Sequence, residues 1–111
     1  MKTILITGVG GPAGANLAAM LVERGCHVVG VDLREVSFPE GLFLLAPPVF
    51  DPHYLPFLQG IVRRENVDLV IPTLTEELPL MAGDWSRQED TPVVISSEQA
   101  VAIAQDKYWT A

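Results

Sequence analysis

A chain of 111 residues with 14 Asp and Glu against 7 Lys and Arg has a net charge of −7, and 49% of its residues are hydrophobic. That length supports one hydrophobic core and argues against a catalytic domain joined to a separate substrate domain, while the apolar content excludes a disordered segment. An acidic surface repels a phosphate backbone, so no nucleic-acid partner is expected.

No apolar run reaches the length of a membrane span, and the N-terminal MKTILITGVGG lacks the long apolar stretch and cleavage site of a signal peptide. No membrane partner and a cytoplasmic location are expected. Cys26 is the single cysteine; it has no internal disulfide partner and no Cys or His neighbours at metal-ligand spacing, so no metal site is expected.

In chain order, Lys2 to Thr7 (KTILIT) reads as a first strand, continuous in apolar character as buried parallel strands are. Ala13, Leu17, Met20 and Leu21 then form a helical stripe that stops at Gly25 in the C′ position. His27 to Asp32 (HVVGVD) is the second strand. Glu35 to Pro48 holds three prolines and reads as an ordered loop with an extra short strand at Leu42 to Leu45. Tyr54, Phe57, Leu58, Ile61 and Val62 make a second helical stripe starting near His53, because Pro56 fits only the first turn. Asp68 to Pro72 (DLVIP) is a further strand. Leu78, Met81, Ala82 and Trp85 make a third stripe, in a helix that begins no earlier than about Glu76 because of Pro79. Pro92 to Ser96 is the last strand, and a short helix after Ser97 carries Ala100, Ile103 and Ala104 inward. Alternating strands and helices predict an α/β fold: a three-layer, Rossmann-like open parallel sheet of four or five strands with helices on both faces. Its ligand crevice lies at the strand C-terminal ends.

Thr7 to Gly14 (TGVGGPAG) follows the first strand directly. It places Gly8, Gly11 and Gly14 at three-residue spacing, and Gly8, Gly10 and Ala13 in a second, overlapping register. Glycine there permits a tight strand-to-helix turn, close approach of a ligand to the backbone and tight helix packing, and the helix N-terminus offers free N–H groups to an anion. No Lys-Ser/Thr pair follows, which excludes a P-loop. Asp32 closes the second strand 24 residues after Gly8, the place of a ribose-binding carboxylate in dinucleotide-binding domains. Read alone, these features make NAD(P) binding the default, as in an epimerase or reductase. Such enzymes need a catalytic tyrosine with a lysine four residues on, and neither Tyr54, followed by Leu58, nor Tyr108 has one.

Together, ILITGVGGPAGANLAAML, DLVIPTLTEEL and TPVVISSEQAVAIAQDKYWTA resemble the N-terminal, pre-ATP-grasp domain of ATP-grasp enzymes, a group that includes the carbamoyl phosphate synthetase large subunit and carboxylate-amine ligases of the biotin carboxylase type. The resemblance spans almost the whole chain. It implies that residues 1–111 are a single pre-ATP-grasp domain, that Asp106 and Lys107 open the first helix of the next domain, and that ATP and Mg²⁺ are held by residues beyond Ala111. The fragment alone would then bind no cofactor and contain no catalytic residue. It would lend Gly8, Gly10, Gly11, Gly14, Asp32, Thr73, Glu76 and Glu77 to a small-molecule site and pack on an ATP-grasp domain present in cis or in trans. Glu76 and Glu77 would face the glycine-loop crevice, where two carboxylates suit a substrate amine; the plain alternative is two acids in the first turn of a helix, opposing its dipole. Thr73 and Thr75 are equally well placed as caps. Tyr108 and Trp109 would form an exposed apolar patch for docking the second domain, or for a homodimer.

Overall fold

The structure, a computed structural model, describes residues 1–85, 87 and 90–94. Apolar runs, β-branched in all but the third, form β1 (Thr3–Thr7), β2 (His27–Asp32), β3 (Leu42–Leu45) and β4 (Leu69–Ile71), joined through α1 (Pro12–Glu23) and α2 (Tyr54–Glu65). All pairings are parallel and the sheet order is β3-β2-β1-β4. The chain builds outward from β1 to β3, then returns to the other side of β1. That reversal makes the C-terminal ends of β1 and β4 a topological switch point, where open α/β sheets form their crevice.

The period of two along β1 sorts its side chains to opposite faces. Ile4 and Ile6 join Ala18 and Leu21 of α1, with Val28, Leu69 and Ile71. Leu5 joins Tyr54, Leu58, Ile61 and Val62 of α2, with Val29, Val70, Met81 and Trp85. One helix therefore covers each face, which is the three-layer α/β arrangement expected. Asp68 ties the lower edge by accepting the Thr3 N–H at 2.8 Å.

The helices differ from the sequence reading in detail. In α1 the buried positions are Gly14, Ala18 and Leu21, while Ala13 and Met20 are exposed and Leu17 is half-buried. The inward face is rotated because the helix lies against the β1 turn closely enough to demand a glycine: a Cβ on Gly14 would lie 2.5 Å from the Gly8 carbonyl oxygen. Gly25 follows the α1 cap with φ 83°, as its C′ position requires. α2 starts after His53, so Pro56 is its third residue and sacrifices no intrahelical bond. The extra strand at Leu42–Leu45 is present, in register Val29↔Leu42.

Two expectations are corrected. The single helix over Leu78 to Trp85 is instead a 3₁₀ turn (Thr75–Glu77), a short α3 (Leu78–Leu80) and a π-type turn (Met81–Trp85). The wider π turn accompanies full burial of both Met81 and Trp85, and the Trp85 indole N–H donates to the Thr91 carbonyl at 3.0 Å. In the described part of the strand expected at Pro92 to Ser96, the pairing is an isolated parallel bridge, Val70↔Val93. The helix after Ser97, the Asp106–Lys107 pair and the Tyr108–Trp109 patch lie outside the described residues. Among the described residues no helix is long and apolar enough to cross a membrane.

Candidate functional site

The turn leaving β1 is shaped by Gly8, whose φ of 70° lies where side chains are strained. Its N–H donates to the Val31 carbonyl at 2.9 Å, locking the turn onto the end of β2. A Cβ here would collide with the Thr73 hydroxyl and lie 3.0 Å from Leu74. Position 8 is thus closed from the β4 side as well.

Thr7 and Thr73 knit the ends of β1 and β4 together. The Thr73 hydroxyl donates to the Thr7 carbonyl at 2.6 Å, and the Thr73 N–H donates to the Thr7 hydroxyl at 3.2 Å. Thr73, a candidate ligand or cap, therefore acts as a structural link in this geometry. Thr75 is exposed at the start of the 3₁₀ turn.

The 3₁₀ turn separates the two adjacent glutamates. Glu76 is exposed and lines the cleft, whereas Glu77 is fully buried. The Glu77 carboxylate accepts hydrogen bonds from the Thr7 and Tyr54 hydroxyls, and from the Leu74 N–H at 3.3 Å. Burial pushes its pKa above the usual glutamate value, against the opposing pull of those three donors; the charge of Glu76 raises it further. Tyr54 is buried beside it, and desolvation together with the neighbouring Glu77 charge holds the phenol protonated well beyond its ordinary range. Sequence reasoning did not single out Tyr54 as a site residue. It sits at the first position of α2 within an apolar stripe, and only its closeness to Glu77, 23 positions along the chain, gives it a polar role.

Two hollows open at the strand C-termini. The first, of about 220 Å³, lies between the Gly8 turn, Asp32, Tyr54, Glu76 and the segment from Ala46 to Phe50. The second, of about 310 Å³, is bounded by Gly10, Gly11, Asp32, Arg34 and Val36. Asp32 borders both. Its carboxylate accepts the Gly10 N–H at 2.8 Å and the Arg34 N–H at 3.1 Å, and a Cβ on Gly10 would stand 2.8 Å from the same oxygen. The structure thus gathers Gly8, Gly10, Gly11, Asp32 and Glu76 around the crevice. Gly14, Thr73 and Glu77 are placed behind it as packing and hydrogen-bonding support.

The remaining polar candidates lie elsewhere. His27 and His53 are exposed, with the His53 ring against Asp51 at 2.8 Å; Cys26 is half-buried and forms no disulfide. Among the described residues no group of three or more His, Cys, Asp or Glu side chains gathers as a metal ion would need.

No protein-family model matches this sequence. Among curated proteins, the UDP-N-acetylmuramoylalanine–D-glutamate ligase of Bifidobacterium longum subsp. infantis is 37% identical over 73 residues, a match spanning 57% of this chain and 15% of the ligase. Among solved structures, the Bordetella bronchiseptica enzyme WbmH in complex with NAD⁺ is 28% identical, with a TM-score of 0.54 over 67% of this chain and 26% of that one. The UDP-glucose-4-epimerase of Stenotrophomonas maltophila with bound NAD is 20% identical, with a TM-score of 0.56 over 97% of this chain and 34% of that one. This chain accordingly spans a minor part of the length of each of these proteins. Parallel sheet, glycine turn and structural likeness agree that it is a Rossmann-like α/β domain.

Proposed function

We propose that this chain is the N-terminal, pre-ATP-grasp domain of an ATP-grasp carboxylate-amine ligase, lending the cleft beside Gly8 to the acceptor substrate. The observation that carries this reading is the wiring of VIPTLTEEL to the glycine loop. Glu77 and Thr73 bind the segment after β4 to Thr7 at the end of β1, which leaves Glu76 on the cleft. Those are two of the three stretches on which the ATP-grasp resemblance rests, and a dinucleotide site gives no reason for a buried glutamate between them. The partial similarity to a curated ligase is in keeping with the same reaction class.

In the whole enzyme ATP would supply the activating phosphoryl group: a substrate carboxylate takes it to form an acyl phosphate with release of ADP. An amine then attacks the acyl carbon, losing its proton and expelling inorganic phosphate. ATP and Mg²⁺ would be held by an ATP-grasp domain in cis or in trans, and residues 1–111 would position the acceptor.

The test is to read the coding sequence beyond the codon for Ala111, purify the protein it specifies, and incubate it with Mg-ATP, hydroxylamine and a panel of amino acids. Carboxylate-dependent ADP release with a trapped hydroxamate is expected, and the 111-residue chain alone should turn over neither ATP nor NAD(P)H. Reduction of NAD⁺ to NADH by either preparation, when NAD⁺ is added to the same incubation, would overturn the reading.

A specific observation favours a second reading. The second hollow lies where Asp32 meets Gly10 and Gly11, the arrangement expected for the adenosine ribose of NAD, and Arg34 beside it would suit a 2′-phosphate. Micromolar binding of NAD⁺ by the isolated chain would favour that alternative, an NAD(P)-binding domain of an epimerase or reductase.

A further inference from the structure

Among the described residues Glu77 is the only fully buried carboxyl, and the segment that carries it has little of its own to hold it in place. The 3₁₀ turn Thr75–Glu77 and α3 (Leu78–Leu80) have three residues each, too few to persist without outside contacts. The Glu77 side chain ties that turn to the Thr7 hydroxyl at the end of β1 and to the Tyr54 hydroxyl at the start of α2. The cleft wall is built on the same tie: Gly8 follows Thr7, Tyr54 is itself a partner, and Leu74 and Glu76 belong to the segment, and all four line the cleft. One proton governs the tie. A neutral carboxyl gains a donor, which either hydroxyl oxygen can receive, and keeps acceptor sites for the others. An ionised carboxyl is a buried anion, and the described groups around it offer no positive charge: β1 brings the uncharged Thr7, α2 the protonated Tyr54 and the segment itself Glu76, while Asp32 of β2 acts on Tyr54. Burial disfavours the anion over the opposing pull of its three donors, and Glu76 repels it further.

We propose that Glu77 is a proton-operated latch on the cleft. With its carboxyl protonated it holds the segment after β4 against the ends of β1 and α2; with the carboxyl ionised that segment opens locally and carries Leu74 and Glu76 away from Gly8 and Tyr54. The opened segment gives Glu77 water in place of its buried site, which is what drives the release. The core beneath, with Leu5, Val29, Leu58 and Ile61, contains none of the latch's polar groups apart from Tyr54 and stays folded. The latch is independent of what the cleft binds, so it stands under either reading of the function.

The experiment is hydrogen exchange of the 111-residue chain by NMR across a pH series, with the Glu77 carboxyl titrated in the same samples. The amides to follow are Thr73, Glu77 and Leu78, bonded to Thr7, Leu74 and Thr75, against Leu5 and Val29 in the sheet. The segment amides are expected to be less protected than the sheet amides and to respond little to low denaturant, as a local opening does. Their protection should fall about tenfold for each pH unit above the ordinary glutamate value of about 4.5 and level off at the Glu77 titration midpoint. In Glu77→Gln, the neutral isostere, the slope should vanish. In Tyr54→Phe, which keeps the fold's apolar ring and serves where Glu77→Gln does not fold, the levelling-off should move to higher pH together with the Glu77 midpoint. Segment amides as protected as the sheet at every pH, protection that does not change with pH, a slope that survives in Glu77→Gln, or a levelling-off that ignores the Glu77 midpoint in Tyr54→Phe would each overturn the latch.

Discussion

Glu77 and Phe50 represent opposite ways of building the region around one cleft. Glu77 is 0% exposed, carries a charge-bearing group with hydrogen bonds to Thr7, Tyr54 and Leu74, and joins the ends of β1, α2 and β4. Phe50 is 86% exposed, in a proline-flanked segment beyond β3, with Leu45 at 57% and Leu33 at 54% also on the surface. In the first region the Glu77 carboxylate meets three donors and Thr7 and Thr73 bond each other, so its geometry is determined by directional bonds. The second is held by two backbone hydrogen bonds, from the Ala46 N–H to Asp32 and from the Asp51 N–H to Pro48, and by Ala46 and Val49 against the core, while Phe50 stays on the surface. Directional hydrogen bonds thus frame one side of the cleft, and exposed apolar side chains stand on the other.

The contrast can be broken at Gly8 with the largest effect. Gly8→Ala places a Cβ against Thr73 and Leu74 at a φ of 70°, and left-handed strain and overpacking together should lower stability by about 3 kcal/mol in chemical denaturation. A variant as stable as the parent would show that the turn relaxes freely, contrary to a rigid wall.

Next comes Glu77→Ala, which leaves two hydroxyls and one N–H without their buried acceptor and should cost about 2 kcal/mol. The pH dependence sharpens this test. Because burial raises the pKa of Glu77 in the folded state, the folded chain holds this proton more tightly than the unfolded chain. Its contribution to stability is therefore fully present below the unfolded value of about 4.5 and declines as pH rises toward the folded value. The stability gap between the parent and Glu77→Ala should narrow over that rise. A gap that widens with pH would mean that Glu77 is stabilised as the anion.

Tyr54→Phe removes one donor to Glu77 and keeps the ring in the core, so a loss of about 1 kcal/mol is expected, with the Glu77 carboxyl titrating at still higher pH by NMR. An unchanged titration would separate Tyr54 from the buried network. At the apolar wall, Phe50→Ser should alter stability by less than about 0.5 kcal/mol, since the side chain is exposed. A larger loss in thermal unfolding would place Phe50 within the framework, and the contrast between the two regions would fail.

Much of the fold was legible because its signals are local. Parallel strands buried on both faces must be continuously apolar, and a glycine turn between a strand and a helix has a recognisable spacing. Even the short strand Leu42–Leu45 could be read from its apolar run between prolines. The helix expected over Leu78 to Trp85 was harder, since a 3.6-residue stripe does not reveal that Met81 and Trp85 are both drawn fully inside through a wider π turn. The inward face of α1 was misjudged for a related reason: Gly14 carries no apolar signal, and its burial follows from backbone contact with Gly8.

The candidate site divides along the same line. The amino-acid sequence by itself determined an α/β parallel fold, a glycine turn after the first strand, Asp32 at the end of the second and a pair of glutamates after a later one, because each depends on residue type and short-range spacing. Only the tertiary structure decided that Glu76 lines the cleft while Glu77 turns inward to Thr7 and Tyr54, 70 and 23 positions away. Neighbours in the chain share composition and spacing, but burial and hydrogen-bond partners are set by which distant strand ends the parallel sheet brings together.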